Sequence, residues 1–167
     1  MKKQLYIATK LLKIMTHTFL VMLATLFINE PVVDESKVFV RDAELRQYTI
    51  EFLTALNEYD VDYDKSIPVA VRFSKVMNMG VAGAAMGMMK DNETNVIVNE
   101  KTWKYLNEDQ RRWLVYHELA HDMFDLRHWS TPIMHPQTPG KRKAAKDWEF
   151  NKKKLFLTIK HKVKRGL

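Results

Sequence analysis

Residues 107–134 read NEDQRRWLVYHELAHDMFDLRHWSTPIM, and this stretch predicts the helix around which the fold is organised. Asn107 can cap the start of a helix, and the two acidic residues that follow it favour the positive end of the helix dipole. The next residues are apolar on most sides, as expected of a buried helix. Because His117 and His121 are four residues apart, their side chains lie on the same face.

The segment His117-Glu118-Leu119-Ala120-His121 is an HExxH motif. Two imidazoles one helical turn apart can bind the same tetrahedral Zn²⁺ ion at about 2.0–2.1 Å. Glu118 is rotated by one residue, so it can lie beside the metal without binding it and accept a proton from the water that the metal activates. The motif therefore predicts a zinc site with Glu118 as general base. The alternative is a pair of surface histidines with no metal.

A zinc site that activates water needs a third protein ligand and an open fourth position. His128 is the next histidine along the chain and is the predicted third ligand. Glu149 and His135 remain alternatives. Asp125 is less suitable, because residues at i, i+4 and i+8 lie in line along a helix and do not converge on one ion.

The segments on the N-terminal side of this helix predict a further helix and a small sheet. Residues 41–58 have apolar side chains at helical spacing, whereas residues 67–76 alternate as in a strand with one buried face. Residues 95–99 predict a second strand, rich in β-branched side chains. Between the two strands, residues 80–89 contain three glycines, which suits a flat edge strand approached closely by another chain, or a flexible loop.

On these features, residues 67–136 resemble the zincin metallopeptidases, and among them the metzincins. The shared features are the order of strands and active helix, the HExxH motif, the downstream histidine and Met134, which resembles the methionine of the metzincin Met-turn. The resemblance implies a zincin-like fold, a zinc ion and hydrolysis of peptide bonds. It also implies that the glycine-rich edge strand pairs with an extended peptide substrate, with these binding residues: Val81, Gly83, Ala85 and Gly87.

Two features depart from the metzincin pattern HExxHxxGxxH. His128 follows His121 by seven residues instead of six, and Phe124 occupies the position of the glycine. In metzincins that glycine lets the chain leave the helix and bring back the third ligand, so we expect a different, wider turn here. The chain is also similar to small bacterial and phage peptidase-like proteins that combine this longer spacing with an Ile-Met pair.

Composition limits the kinds of site that the chain can contain. Its 167 residues suit one domain with a terminal extension, and 46% of them are hydrophobic, which is enough to build a core. The chain has no cysteine, which excludes disulfides, thiolate metal sites and cysteine nucleophiles. Any metal site must therefore use His, Asp or Glu.

The net charge of +7 is concentrated at the C-terminal end. Residues 141–167 contain 11 Lys or Arg against two acids, a balance of +9, which leaves −2 for residues 1–140. Apolar residues recur there at helical intervals, so we predict a basic helix that packs on or extends the domain. Its cations form either a solvated face or a contact with an anionic membrane, and nucleic acid is not an expected partner.

Residues 1–28 have the pattern of an export signal, because four lysines precede an apolar run from Phe19 to Ile28. We interpret residues 1–30 as a signal anchor, or a signal-like hydrophobic helix, which would hold the catalytic domain on the outer side of a membrane. The cleavage site is poor, and the run is marginal for a span of roughly 20 residues. A cleaved signal and a packed helix of a cytoplasmic protein are the alternatives.

These observations predict an α+β protein in three parts: residues 1–30, a zincin-like catalytic domain over residues 31–140, and the basic helix of residues 141–167. The predicted function is zinc-dependent endopeptidase cleavage of a peptide or protein. The alternative is a catalytically silent, zinc-stabilised binding or structural module. Glu118 argues against that alternative, because a purely structural site needs no general base.

Overall fold

The structure is a computed structural model that describes residues 33–78, 80–86 and 92–166. Contacts divide the chain into residues 1–32 and residues 33–167, and every described element belongs to the second unit. The hydrophobic helix predicted for residues 1–30 lies outside the described residues, as does Gly87 of the predicted edge strand. No helix in the described ranges is long and apolar enough to cross a membrane.

A three-stranded mixed sheet forms one layer of the fold. Strand β1 is Val69–Ser74, β2 is Gly83–Ala85 and β3 is Thr94–Asn99, in the order β1-β3-β2. Strand β1 runs parallel to β3, whereas β2 pairs antiparallel with β3 and lies at the edge. The predicted small mixed sheet with a glycine-containing edge strand is therefore confirmed, although β2 is only three residues long.

Helices α1 (Ala43–Glu58), α2 (Glu100–Trp103) and α3 (Glu108–Phe124) pack against the sheet. Helix α3 begins as predicted, because the Asn107 and Gln110 side chains each accept a hydrogen bond from the other's backbone N–H. Helices α1 and α3 pack through an edge-to-face contact between Phe52 and Tyr116, whose ring centroids are 5.1 Å apart. The short α2, capped by the Asn99 side chain, was not predicted.

The C-terminal segment forms two helices, so the single basic helix predicted for residues 141–167 is wrong in this respect. Helix α4 is Lys141–Lys146 and α5 is Trp148–Lys164. The chain leaves helical geometry between them at Asp147, where φ is −114° and ψ is 20°. One apolar face of α5 is fully buried in the same core as α1 and α3, through Leu155, Phe156 and Ile159.

Three half-buried lysines of α5 lie against acidic residues of the domain. Lys152 is 3.2 Å from Glu58, Lys160 is 3.5 Å from Asp60, and Lys162 is 3.5 Å from Asp125. Each such surface pair contributes little to stability, about 0–1 kcal/mol. The pairs nevertheless reduce the free positive charge of the C-terminal segment.

Candidate metal centre

The turn that follows α3 returns the chain to the two motif histidines. The helix ends at Phe124, and Asp125 adopts the left-handed conformation with φ 44° and ψ 43°. Its N–H donates to the carbonyl of His121, which closes the last helical turn. The left-handed residue is thus one position later than the metzincin glycine, just as His128 is one position later than the metzincin histidine.

The structure brings His117, His121 and His128 together. One ring nitrogen of each lies within 4.8 Å of a ring nitrogen of the other two. The ring centroids are 4.6 Å apart for His117 and His121, and 4.7 Å apart for His121 and His128. The cluster extends from the protein interior to its surface, since His117 is buried, His121 is half-buried and His128 is exposed. A metal ion held there would be open to solvent on one side.

Hydrogen bonds orient the two helix histidines. His117 Nδ1 is 2.7 Å from the carbonyl oxygen of Ile133, which can only accept, so Nδ1 carries the proton and Nε2 keeps its lone pair. Burial lowers the pKa of His117 to about 4, although the Ile133 carbonyl favours the protonated form. Burial also lowers the pKa of His121, against a hydrogen bond to the backbone of Leu126. Both imidazoles are therefore neutral at pH 7 and suited to bind a metal.

The distance between the two helix nitrogens fits a bound cation. His121 Nε2 lies 3.1 Å from His117 Nε2. Two nitrogens bound to one tetrahedral Zn²⁺ at about 2.0–2.1 Å are separated by about 3.3 Å. A cation between these two nitrogens would be bound by one lone pair from each ring. The donor set of three neutral imidazoles also suits zinc better than magnesium or calcium, which prefer oxygen ligands.

Glu118 lies apart from the histidine cluster, against the edge strand. A Cβ atom added to Gly83 would be 2.8 Å from both Cγ and Oε1 of Glu118, so the glycine gives the carboxyl group its space. The N–H of Ala85 donates to this carboxyl group. Burial raises the pKa of Glu118 to about 7; the Ala85 hydrogen bond opposes the shift and the nearby Asp122 adds to it.

Strand β2 directs part of its backbone away from the sheet. Met86 N–H donates to the carbonyl of Asn95, and Asn99 N–H donates to the carbonyl of Ala82, so alternate residues of this strand face β3. The backbone groups of Gly83 and Ala85 point in the opposite direction, and Ala85 N–H meets Glu118 there. The outer edge of β2 therefore adjoins the carboxyl group that the motif provides.

Val81, the first residue of the predicted substrate-binding strand, lies outside β2. Its N–H donates to the carbonyl of Asn78, and its own carbonyl accepts from the side chain of Asn99. Both backbone groups are thus bound within the protein. Of the four predicted residues, Gly83 and Ala85 alone lie in the described strand.

Met134 lies in a tight turn next to Ile133, the residue whose carbonyl contacts His117. Its side chain is fully buried, its N–H donates to the carbonyl of Thr131, and its carbonyl accepts from Trp129 N–H. The preceding residue, Ile133, provides the carbonyl that orients His117. The turn thus supports the first motif histidine through the backbone, while the Met134 side chain fills the core.

The alternative third ligands do not join the cluster. Glu149 is exposed on α5, and the carboxylate of Asp125 is 3.5 Å from Lys162. His135 lines the same cleft of about 410 Å³ as His117, His121, His128 and Glu118, but it is not among the three histidines that could share an ion. His128 is thus the only one of the proposed third ligands in the described residues that meets the helix pair.

Three partners of the site were not identified from the sequence. The Ile133 carbonyl and the Ala85 N–H are backbone groups, which carry no signal in residue type. The sequence contained a partial signal for the contact of Gly83 with Glu118, because glycines in a strand indicate close approach of another group, but the group predicted there was a substrate.

Comparison of the chain with protein family models, curated proteins and solved structures gives no match.

Proposed function

We propose that the protein is a zinc-dependent peptidase of zincin-like fold in which His117, His121 and His128 hold the metal and Glu118 is the general base. One observation carries the proposal. A buried carboxyl group lines the same cleft as the three-histidine cluster, yet it stays outside the cluster and is held by the edge strand. A structural metal site would have no use for a separately held carboxyl group beside it.

Zinc bound by three imidazoles would supply Lewis acidity and a water of lowered pKa. Glu118 accepts a proton from the attacking water and returns it to the leaving amine. In the metal-free chain burial raises the pKa of this carboxyl group to about 7, and the positive charge of a bound metal would oppose that shift and favour the carboxylate that accepts the proton. Burial of Glu118, which is 6% exposed, also keeps bulk water from competing for the proton.

The edge strand gives the reason to propose a peptide as substrate. The outward carbonyl and N–H of Gly83 can pair with the backbone of an extended chain, as in β-strand addition. Ala85 offers its carbonyl, while its N–H holds Glu118. A peptide paired in this way would pass directly in front of the general base. Backbone pairing selects an extended peptide rather than a particular side chain.

The test compares the full chain with Glu118→Gln and with a matched control, Glu149→Gln. Glu149 is an exposed acid that does not line the cleft. Each protein is measured for bound zinc by elemental analysis and for cleavage of a peptide library. We expect one zinc ion per chain in all three proteins, cleavage by the parent and the control, and loss of at least about 10²-fold in Glu118→Gln.

Other outcomes separate the alternatives. Zinc in all three proteins with no cleavage of any peptide would favour a catalytically silent, zinc-stabilised binding module. Loss of activity in Glu149→Gln would assign that residue to the site. Absence of zinc from the parent would show that the metal proposal is wrong.

A further inference from the structure

Of the titratable side chains that line the cleft in the described part of the chain, His135 is the one to which the proposed function gives no part. It follows the buried Met134 and lies at the wall that the cleft shares with a second cavity of about 760 Å³. The side chain is half-buried, so it reaches the cleft surface while much of the ring is held by protein. It is not in the three-histidine group, so it is free for another role.

The neighbours of His135 determine which ring nitrogen carries the proton. Nδ1 is 3.1 Å from the backbone N–H of Gln137 and 3.3 Å from its carbonyl oxygen. Since an amide N–H can only donate, the shorter contact favours an unprotonated Nδ1 in the neutral ring, with the proton on Nε2, over the tautomer whose Nδ1–H donates to the carbonyl at the longer distance. If the ring is protonated, Nδ1–H donates to the carbonyl and Nε2 again carries a proton. An Nε2–H donor is therefore available in both forms.

The ring is also held in orientation. Trp129 packs edge-to-face against it, with ring centroids 4.3 Å apart and an interplanar angle of 75°. The Trp129 backbone is fixed by its N–H, which donates to the carbonyl of Met134, and φ is 69° there, while the residue as a whole is 70% exposed. Among the described residues, the structure gives His135 Nε2 no hydrogen-bond partner. An oriented donor at the edge of a reaction cleft can bind developing negative charge.

We propose that His135 is a catalytic residue whose Nε2–H donates a hydrogen bond to the carbonyl oxygen of the scissile bond as that oxygen becomes negatively charged. This inference rests on the proposed peptidase function. The water oxygen forms a bond to the carbonyl carbon, one water proton passes to Glu118, and the π electrons of the carbonyl move to its oxygen. An electron pair on that oxygen then re-forms the C=O bond as the C–N bond breaks, the electron pair of the C–N bond stays on nitrogen, and nitrogen takes the proton from Glu118. His135 keeps its own proton throughout.

Other donors near the cleft are less suitable. Trp113 lines the cleft, but its Nε1 atom is enclosed by protein and lacks a hydrogen-bond partner within the described structure, so it cannot reach a substrate oxygen. Tyr116 is buried on the far side of α3, where its ring packs against Phe52 and Trp148. His135 is the side chain that combines a free N–H group with a place on the cleft surface.

The kinetic test uses the full chain and three variants: His135→Ala, His135→Gln, which keeps an N–H donor, and His161→Ala, an exposed histidine of α5, as control. For a peptide that the parent cleaves, we expect His135→Ala to lower kcat by about 10²–10³-fold with little change in KM. His135→Gln should recover part of the loss, and the control should match the parent. Zinc content should remain one ion per chain.

Each contrary outcome has a separate meaning. If the parent cleaves and His135→Ala matches it, His135 has no catalytic role and the peptidase proposal stands. If His135→Ala loses its zinc, the residue is a ligand, and the inference is wrong. If the parent cleaves no peptide, the proposed function fails and the inference fails with it.

A second readout does not depend on activity. Nitrogen-15 NMR of the metal-free chain, with His135 assigned through the spectrum of His135→Gln, reports which ring nitrogen is protonated. We expect the proton on Nε2 and an unprotonated Nδ1 at neutral pH. A ring protonated on Nδ1 alone would contradict the geometry on which the inference rests.

Discussion

Replacement of Gly83 by alanine tests the link between the edge strand and the general base. The new Cβ atom would be 2.8 Å from Cγ and Oε1 of Glu118 and 2.9 Å from Cδ, whereas ordinary contacts begin at 3.4 Å. The carboxyl group must therefore move by about 0.6 Å or the strand must shift by the same amount. Misplacement of a catalytic group by about 1 Å can cost about 10²-fold in rate. We expect kcat/KM to fall by about 10–10²-fold.

The assay for Gly83→Ala combines peptide cleavage, zinc content and thermal unfolding. Zinc binding should persist, because Glu118 lies outside the histidine cluster, while added crowding should lower the free energy of unfolding by about 1–3 kcal/mol. Gly80→Ala is the matched control, since a Cβ atom there has nothing within 4 Å. If Gly83→Ala cleaves peptide at the parental rate while it binds zinc, Glu118 does not act from the position described.

Three further predictions concern the metal ligands, the turn after α3 and the pH dependence of stability. His128→Ala should weaken zinc binding by more than about 10²-fold in a chelator competition, because losing a ligand costs more than losing a residue that only hydrogen-bonds to a ligand; unchanged affinity would exclude this ligand. Asp125→Val should lower the free energy of unfolding by about 1–2 kcal/mol, because φ is 44° there, whereas Asp125→Gly should be far milder; equal effects in urea denaturation would argue against strain at this residue. In the metal-free chain, the pKa of His117 is lower in the folded state than in the unfolded state, so between about pH 6.5 and 4 the unfolded state binds more protons. The free energy of unfolding should therefore decrease as pH falls through this range. The raised pKa of Glu118 acts in the opposite direction between about 7 and 4.5, so metal-free Glu118→Gln should lose stability on acidification more steeply than the parent. Parallel stability curves would contradict this assignment.

The helix and the histidine pair could be predicted because their signals are local. The cap at Asn107 and the spacing of His117 and His121 depend on residues within a few turns of one helix, and α-helical geometry determines the result. The strand predicted at residues 95–99, which the structure places at Thr94–Asn99, was found for the same reason, since enrichment in β-branched residues is read within a short window.

The remaining features depend on contacts that a local pattern does not contain. The left-handed turn at Asp125 could not be predicted from a glycine, because the sequence has none there. The turn is instead stabilised from α5, where Lys162 Nζ donates a hydrogen bond to the Asp125 carbonyl at 2.7 Å. The break at Asp147 was missed because lysines and apolar residues continue at helical spacing on both sides of it. The approach of Gly83 to Glu118 joins residues of different elements, so only tertiary packing determines it.

The contact between Lys162 and Asp125 also bears on when the site can form during synthesis. The two residues are 37 positions apart, and Lys162 is the later one to leave the ribosome. Until α5 has been synthesised and has packed, the left-handed turn that precedes His128 lacks the hydrogen bond from the Lys162 ammonium group and is held only by its own backbone. We therefore expect nascent chains that end before α5 to capture metal weakly, and maturation of the site to follow, rather than precede, completion of the core.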